Sequence, residues 1–166
     1  AGNRCFDLRV PEEINRKIVD HISDINLPYS EIARSYLLSE GLPPDQIIKL
    51  GSPMQEVLNY FKKSILKTGI HQRLKIKKKE YFLISYHREE NVDDQKNLKR
   101  FFKLLDFLSA NYDYKIIVST HYRTEKNIKK FGLKKNRNII FHKPFGFFDY
   151  VNLQINAKVV LSDSGT

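Results

Sequence analysis

His87 and Arg88 stand directly after YFLISY (residues 81–86), an apolar run of strand length. Ligands of parallel α/β sheets bind beyond the carboxyl ends of the strands, so this pair occupies a place where chemistry is done. The imidazole can donate to a phosphate or sugar oxygen, and the guanidinium can pair with an anion. The same two residues also suit a structural task, the histidine capping a helix and the arginine pairing with Glu89 or Glu90. SDSG (162–165) closes another apolar run, KVVLS (158–162). Ser164 and the backbone N–H groups around Gly165 can hold a diphosphate there. Ser, Asp and Gly also fill any turn. Glu12 and Arg16 are spaced i,i+4, on one face of a helix. They form either a surface ion pair of ~0.3–0.5 kcal/mol or a carboxylate acting as acid or base with an arginine that tunes it. His121 and Arg123 follow a third run, KIIVST (115–120), where a helix-start loop explains them equally. Tyr150 sits in an aromatic cluster with Phe145, Phe147 and Phe148; such residues fill cores, and one at a helix start can stack on a base. His21, His71 and His142 each stand alone and read as structural or surface residues, because no pair has metal-ligand spacing with a supporting third ligand.

The elements that must position these residues alternate. Strands are expected at 81–86, 115–120, 138–142 and 158–162. Between them, helices are expected at 97–108, where Leu98, Phe101, Phe102, Leu104, Leu105 and Leu108 keep helical spacing, and at 124–131 and 147–156. Strand and helix alternation at these distances, with continuous apolar strands, implies a parallel sheet covered on both faces. The first 60 residues read differently. Helices are expected at 11–23, with Pro11 and two glutamates in its first turn, at 30–40, with Ser30 as a cap, and at 53–66. A short strand is expected at 46–50 (QIIKL). The stretch 62–79 carries nine basic side chains counting His71 and reads as a solvated connector.

Composition narrows the classes. The chain has 166 residues, 41% apolar and 29% charged, a globular balance. No run approaches the ~18 apolar residues of a membrane span, and no signal peptide is visible. One cysteine, Cys5, rules out an internal disulfide and any CxxC motif. These features predict a soluble protein of a reducing compartment, placed in the cytoplasm. The net charge of +10 fits a polyanion, an anionic small substrate, or simply lysine on solvated faces. There is no RNP-type motif, GXXG loop or basic-aromatic face, so no nucleic acid partner is expected.

Taken in order, GNRCFD, PEEINRKIVDHISDINL, GSPMxEVL, SxHREENVD, STHxRT and PFGFFDYVNLQINAxVVLSDSGT resemble the non-hydrolysing UDP-N-acetylglucosamine 2-epimerase family. The wording is similar to the branch that includes UDP-N-acetyl-L-fucosamine-forming epimerases, and the resemblance covers essentially the whole chain. It implies an α/β, glycosyltransferase-B-like fold of two Rossmann-like domains, both incomplete here. Residues 1–60 would be the C-terminal part of the first, 61–80 a basic connector, and 81–166 most of the second, UDP-binding domain. The family pattern places further functional residues before Ala1 and after Thr166, so the chain is expected to be a fragment truncated at both ends and inactive alone.

The resemblance also implies a reaction and a set of roles. The reaction inverts C2 of UDP-GlcNAc or a related UDP-2-acetamido sugar by elimination and re-addition of UDP, with no metal or other cofactor. It belongs to synthesis of surface-polysaccharide precursors, for bacterial capsule or O-antigen. Glu12 would take part in proton transfer, with Arg16 one turn on. His87 would lie near the diphosphate, with Arg88 beside it. Ser164 and Gly165 would bind the UDP phosphate, and Tyr150 would pack on uracil. Tyr86 and Tyr122 stand where this branch usually has Ala and Pro. The expected partner is a UDP-sugar substrate, with a homodimer possible and no membrane. The alternatives are a UDP-sugar glycosyltransferase of the same fold and a non-catalytic remnant.

Overall fold

The computed structural model of the chain describes residues 1–8, 10–120, 122–131 and 138–163. It divides into two units, 1–60 and 61–166. In the first, Pro11 opens α1 (Pro11–Ile22) at a position where its missing N–H costs nothing, and Glu12 and Glu13 fill the first turn. α2 (Glu31–Ser39) is capped by Ser30, whose hydroxyl accepts from the Ala33 N–H at 3.1 Å. A 3-10 turn (Pro44–Gln46) and α3 (Met54–Tyr60) follow. Among the described side chains of α1, Glu13 and Asp20 are buried, while Ile14, Ile18, Val19 and Ile22 are exposed.

The strand expected at 46–50 does not form. Ile47 makes a single parallel bridge with Asn26, extended by Leu50 N–H donating to the Pro28 carbonyl at 3.2 Å. A strand needs a sustained ladder, and among the described residues only the 26–28 stretch offers one edge. The helix expected at 53–66 is interrupted at Phe61, whose ring packs against Phe148 at 5.1 Å.

In the second unit, α4 (Lys62–Leu66) and α5 (Ile70–Leu74) precede β1 (Tyr81–Ser85). Then come α6 (Glu89–Val92), α7 (Gln95–Asn111), β2 (Lys115–Ser119), α8 (Tyr122–Lys130), β3 (Ile139–His142), α9 (Phe147–Asn156) and β4 (Val159–Ser162). The strands pair in parallel in the order β3-β2-β1-β4. Alternation along β1 divides its side chains between two cores. Phe82 and Ile84 meet Leu98, Phe101, Phe102 and Leu105 of α7 on one face. Tyr81 and Leu83 meet Ile70 and Leu153, from α5 and α9, on the other. Each such fully buried apolar side chain contributes about 1.5–3 kcal/mol. α7 is capped by Asp94, whose carboxylate accepts from the N–H groups of Lys96 (2.6 Å) and Asn97 (3.2 Å), so it begins at Gln95, two residues before the apolar spacing alone placed it. β4 departs from the expectation of two covered faces, since Val159 and Val160 are exposed.

The basic stretch 62–79 is not the solvated connector its charge suggested. Ile65, Ile70 and Ile76 are buried, and α4 packs on α9. Three isoleucines spread over two short helices and a loop share no single period, which hides them from a periodicity reading. Asn152 of α9 fastens the contact. Its Nδ2 donates to the Ile65 carbonyl at 2.6 Å and to Thr68 Oγ1 at 3.0 Å. Asn152→Ala leaves that buried carbonyl unpaired and is expected to cost about 1–3 kcal/mol in urea unfolding; a cost below ~0.5 kcal/mol would mean the α4–α9 contact is dispensable. On the same face, Tyr81 Oη donates to the Leu153 carbonyl at 2.6 Å and lies 3.1 Å from His71 Nε2. Burial holds the Tyr81 phenol above its ordinary range and the His71 imidazole below its own.

Candidate functional site

Parallel register aligns the carboxyl ends of the strands into one polar row: Ser162, Ser85, Ser119 and His142. The chain builds β2 and β3 on one side of β1 and then crosses back to place β4 on the other side, so the strand order reverses between β1 and β4. That is a topological switch point, where open α/β sheets hold ligands. His87 follows β1 and Asp163 follows β4, one on each side of it. Asp163 Oδ2 accepts from the backbone N–H groups of His87 (3.0 Å) and Arg88 (2.9 Å). Asp163 Oδ1 lies 3.1 Å from His87 Nδ1, and Ser85 Oγ lies 3.3 Å from the same nitrogen. The His87 ring is half exposed, and Arg88 is exposed beside it. A cavity of about 410 Å³ opens beside these loops, lined by Ser85, Tyr86, Asn91, Arg100, Leu161 and Asp163. The Tyr86 ring turns away from His87 and stacks on Phe101 at 4.0 Å, and burial raises its phenol. The bulky residue next to the histidine is thereby absorbed by the core.

Tyr150 is half-buried on α9, against the cluster of Ile70, Leu83 and Leu153. A second cavity, of about 520 Å³, lies at the start of α9 between Ser64, Thr68, Arg73 and Asp149; there Arg73 pairs with Asp149. Ser164 and Gly165 lie outside the described residues, as does His121, and the Arg123 side chain is likewise not described.

In the first unit, Glu12 is exposed on α1. Arg16 Nη2 donates to Glu13 Oε2 at 3.5 Å. Glu13 is fully buried and accepts from the Cys5 N–H at 2.9 Å. That bond holds its carboxyl below the usual range against the opposing effect of burial, with the Phe6 N–H and Lys17 adding to the lowering. The loop that Glu13 grips is pinned along its length. The Gly2 N–H donates to Asp20 (2.9 Å), and Arg4 donates to both carboxylate oxygens of Glu40 (2.7 and 2.6 Å) and to Asp20 (2.8 Å). Phe6 takes a left-handed backbone, φ +57°, with its ring edge-on to Tyr36 at 5.1 Å.

The sequence named Glu12 but not Glu13, and Ser164 and Gly165 but not Asp163. Asp163 carried a usable signal, an acidic residue at the end of a strand that flanks a switch point. Glu13 carried none, since adjacent glutamates in a first helical turn look alike.

Comparison with known proteins agrees with the motifs. The family model described as UDP-N-acetylglucosamine 2-epimerase matches residues 1–166. A curated UDP-N-acetylglucosamine 2-epimerase of Methanocaldococcus jannaschii is 36% identical across 99% of this chain and 47% of its own length. The solved UDP-N-acetylglucosamine 2-epimerase of Rickettsia bellii superposes with a TM-score of 0.88 at 50% identity, over 100% of this chain and 44% of that one. The M. jannaschii UDP-GlcNAc 2-epimerase solved with UDP-GlcNAc and UDP gives 0.87 at 36%, over 99% and 47%. The fold is the expected α/β, glycosyltransferase-B-like one, and no helix among the described residues is long and apolar enough to cross a membrane. The chain spans about half the length of the curated relatives it matches. With one family model matching it from end to end, the chain belongs to the UDP-N-acetylglucosamine 2-epimerase family.

Proposed function

We propose that this chain is part of the catalytic fold of a UDP-N-acetyl-sugar 2-epimerase acting on UDP-GlcNAc or a related UDP-2-acetamido sugar. The observation that carries this reading is the meeting of the His87 and Asp163 loops at the switch point between β1 and β4. A diphosphate seated there faces the His87 imidazole, the Arg88 guanidinium and the polar row of strand ends. Charge-assisted hydrogen bonds from such groups are shorter and stronger than neutral ones, and they stabilise the anion that departs. In the reaction a base removes the C2 proton, its electron pair forms the C1–C2 double bond, and the C1–oxygen bond to UDP breaks. A proton then reaches C2 from the other face while a diphosphate oxygen re-forms the bond to C1. Atoms and electrons balance with no oxidant or reductant. Glu12 is assigned to proton transfer because it is the exposed carboxylate of its helix turn, with Arg16 one turn on. Ser164 and Gly165 are assigned to the phosphate and Tyr150 to uracil.

Residues 1–60 are assigned to the first Rossmann-like domain and 61–166 to the second, UDP-binding one. The setting we propose is synthesis of surface-polysaccharide precursors in a bacterial cytoplasm, by a homodimer. A glycosyltransferase of the same fold is the less favoured reading, since an epimerase model matches every motif named above.

The test is UDP binding to this chain by calorimetry, with thermal unfolding in the same buffer. At a hundredfold excess over Kd, UDP is expected to stabilise the fold by about 2.7 kcal/mol, read as a rise in Tm of roughly 5–11 °C. His87→Ala should diminish that rise. A cooperative transition that UDP does not move would overturn the assignment.

A further inference from the structure

Asp163 has no role in the reaction as described, yet its carboxylate accepts from the backbone of His87 and Arg88 and from Asn91. Only 10% of its side chain is exposed. Its Oδ2 accepts from the His87 N–H (3.0 Å), the Arg88 N–H (2.9 Å) and Asn91 Nδ2 (3.3 Å). Its Oδ1 lies 3.2 Å from the His87 N–H nitrogen and 3.1 Å from His87 Nδ1. Its own N–H donates to the Ser85 carbonyl at 3.2 Å. An aspartate that merely shapes a turn bonds to the backbone two residues on. This one directs both oxygens to a loop 76 residues away in the chain, the loop that carries His87.

We propose that Asp163 is a positioning residue for His87. Its carboxylate stands beside Nδ1 and keeps the proton on that nitrogen, so that Nε2 is presented to the diphosphate of a nucleotide sugar. The choice of that ligand rests on the function proposed above; the arrangement of the imidazole does not. An anion beside one ring nitrogen favours N–H there by its charge, which biases the imidazole toward one tautomer. Ser85 Oγ, 3.3 Å away, is the hydrogen-bond partner of the same nitrogen. A hydroxyl either donates or accepts, so it selects neither tautomer.

Asp163→Asn tests this on the same chain, because it keeps the shape and one accepting oxygen while removing the charge. The readout is the nitrogen-15 spectrum of the His87 ring, together with UDP affinity. The unaltered chain is expected to show Nδ1–H. Asp163→Asn should shift the ring toward the Nε2–H form and weaken UDP binding by about 10–100-fold, the loss of one hydrogen bond to a charged group. Ser85→Ala should leave the tautomer as it is. The proposal is overturned if Asp163→Asn keeps Nδ1–H, even where its Tm falls, since that is a structural role alone. It is equally overturned if Ser85→Ala removes the Nδ1 proton, or if the unaltered chain shows Nε2–H or the averaged ring signals of an unfolded polypeptide. Should Asp163 hold the tautomer while UDP binds neither protein, the UDP-sugar reading fails and the positioning of His87 stands.

Discussion

Replacing Arg4 by methionine is expected to destabilise the 1–60 unit by about 3–5 kcal/mol. The Arg4 side chain has no solvent exposure, and it pairs with Asp20, 6% exposed, and Glu40, 23% exposed. Methionine preserves much of the packing of the arginine stem but leaves two largely desolvated carboxylates without their cation. The loss should appear as a lower urea midpoint and as faster amide exchange at Gly2, whose N–H bonds to Asp20. A cost below ~1 kcal/mol would mean that water reaches the cluster freely.

The same cluster sets an acid limit. Arg4 hydrogen-bonds to Glu40 and holds its carboxyl down to about 2 against the opposing effect of burial, with His21 adding to the lowering; the two carboxylates in turn raise the Arg4 guanidinium. A carboxyl whose folded value lies below its unfolded one stabilises the fold while ionised. Its contribution is complete above the ordinary carboxylate value of 4.5 and is lost as pH falls toward about 2. Discounted for partial exposure, that is about 2–3 kcal/mol. Acid unfolding of the 1–60 unit should accordingly steepen below about pH 4, and Arg4→Met should remove the steepening. An identical acid profile in both proteins would show that Glu40 is not the group responsible.

The second large effect is expected at the centre of the sheet. Leu83→Ala should cost about 2–5 kcal/mol. Leu83 is fully buried, between Ile117 of β2 and Val160 of β4 in register, and Leu153 of α9 covers it. Truncation there opens a cavity that strands fixed on both sides cannot close. Leu104→Ala, on the exposed side of α7, should stay within about 0.5 kcal/mol. Equal costs for the two in urea unfolding would mean that β1 is not the packed centre of this unit.

Leu83 and Leu104 also illustrate how much was legible beforehand. Leu83 sits in an unbroken apolar run, which only a strand buried on two faces needs. Leu104 was counted with the helix's core stripe, and the structure leaves it exposed. A helix of period 3.6 drifts against a flat sheet, so only the bonds to the sheet decide where the stripe ends. Phe61 and Ile65 show the converse. The helix pattern runs through both, and the structure breaks it at Phe61, whose ring packs on Phe148 of α9.

The residues themselves determined the alternation of strands and helices, the cap at Ser30, and the loops at which His87, Arg88 and the SDSG stretch emerge. Those properties follow from neighbours a few positions apart, through side-chain period, backbone freedom and local hydrogen bonds. Strand order was decided by the tertiary structure alone. Nothing near residue 160 states that β4 pairs with β1 rather than β3, and that choice brings Asp163 to His87 and creates the switch point between them. The difference between Glu12 and Glu13 was decided the same way. Two identical side chains on adjacent positions point about 100° apart around a helix, and the pinned loop of residues 2–7 covers only one of them. The exposed carboxylate stays open to solvent, and the buried one, held by the Cys5 N–H, becomes part of the frame.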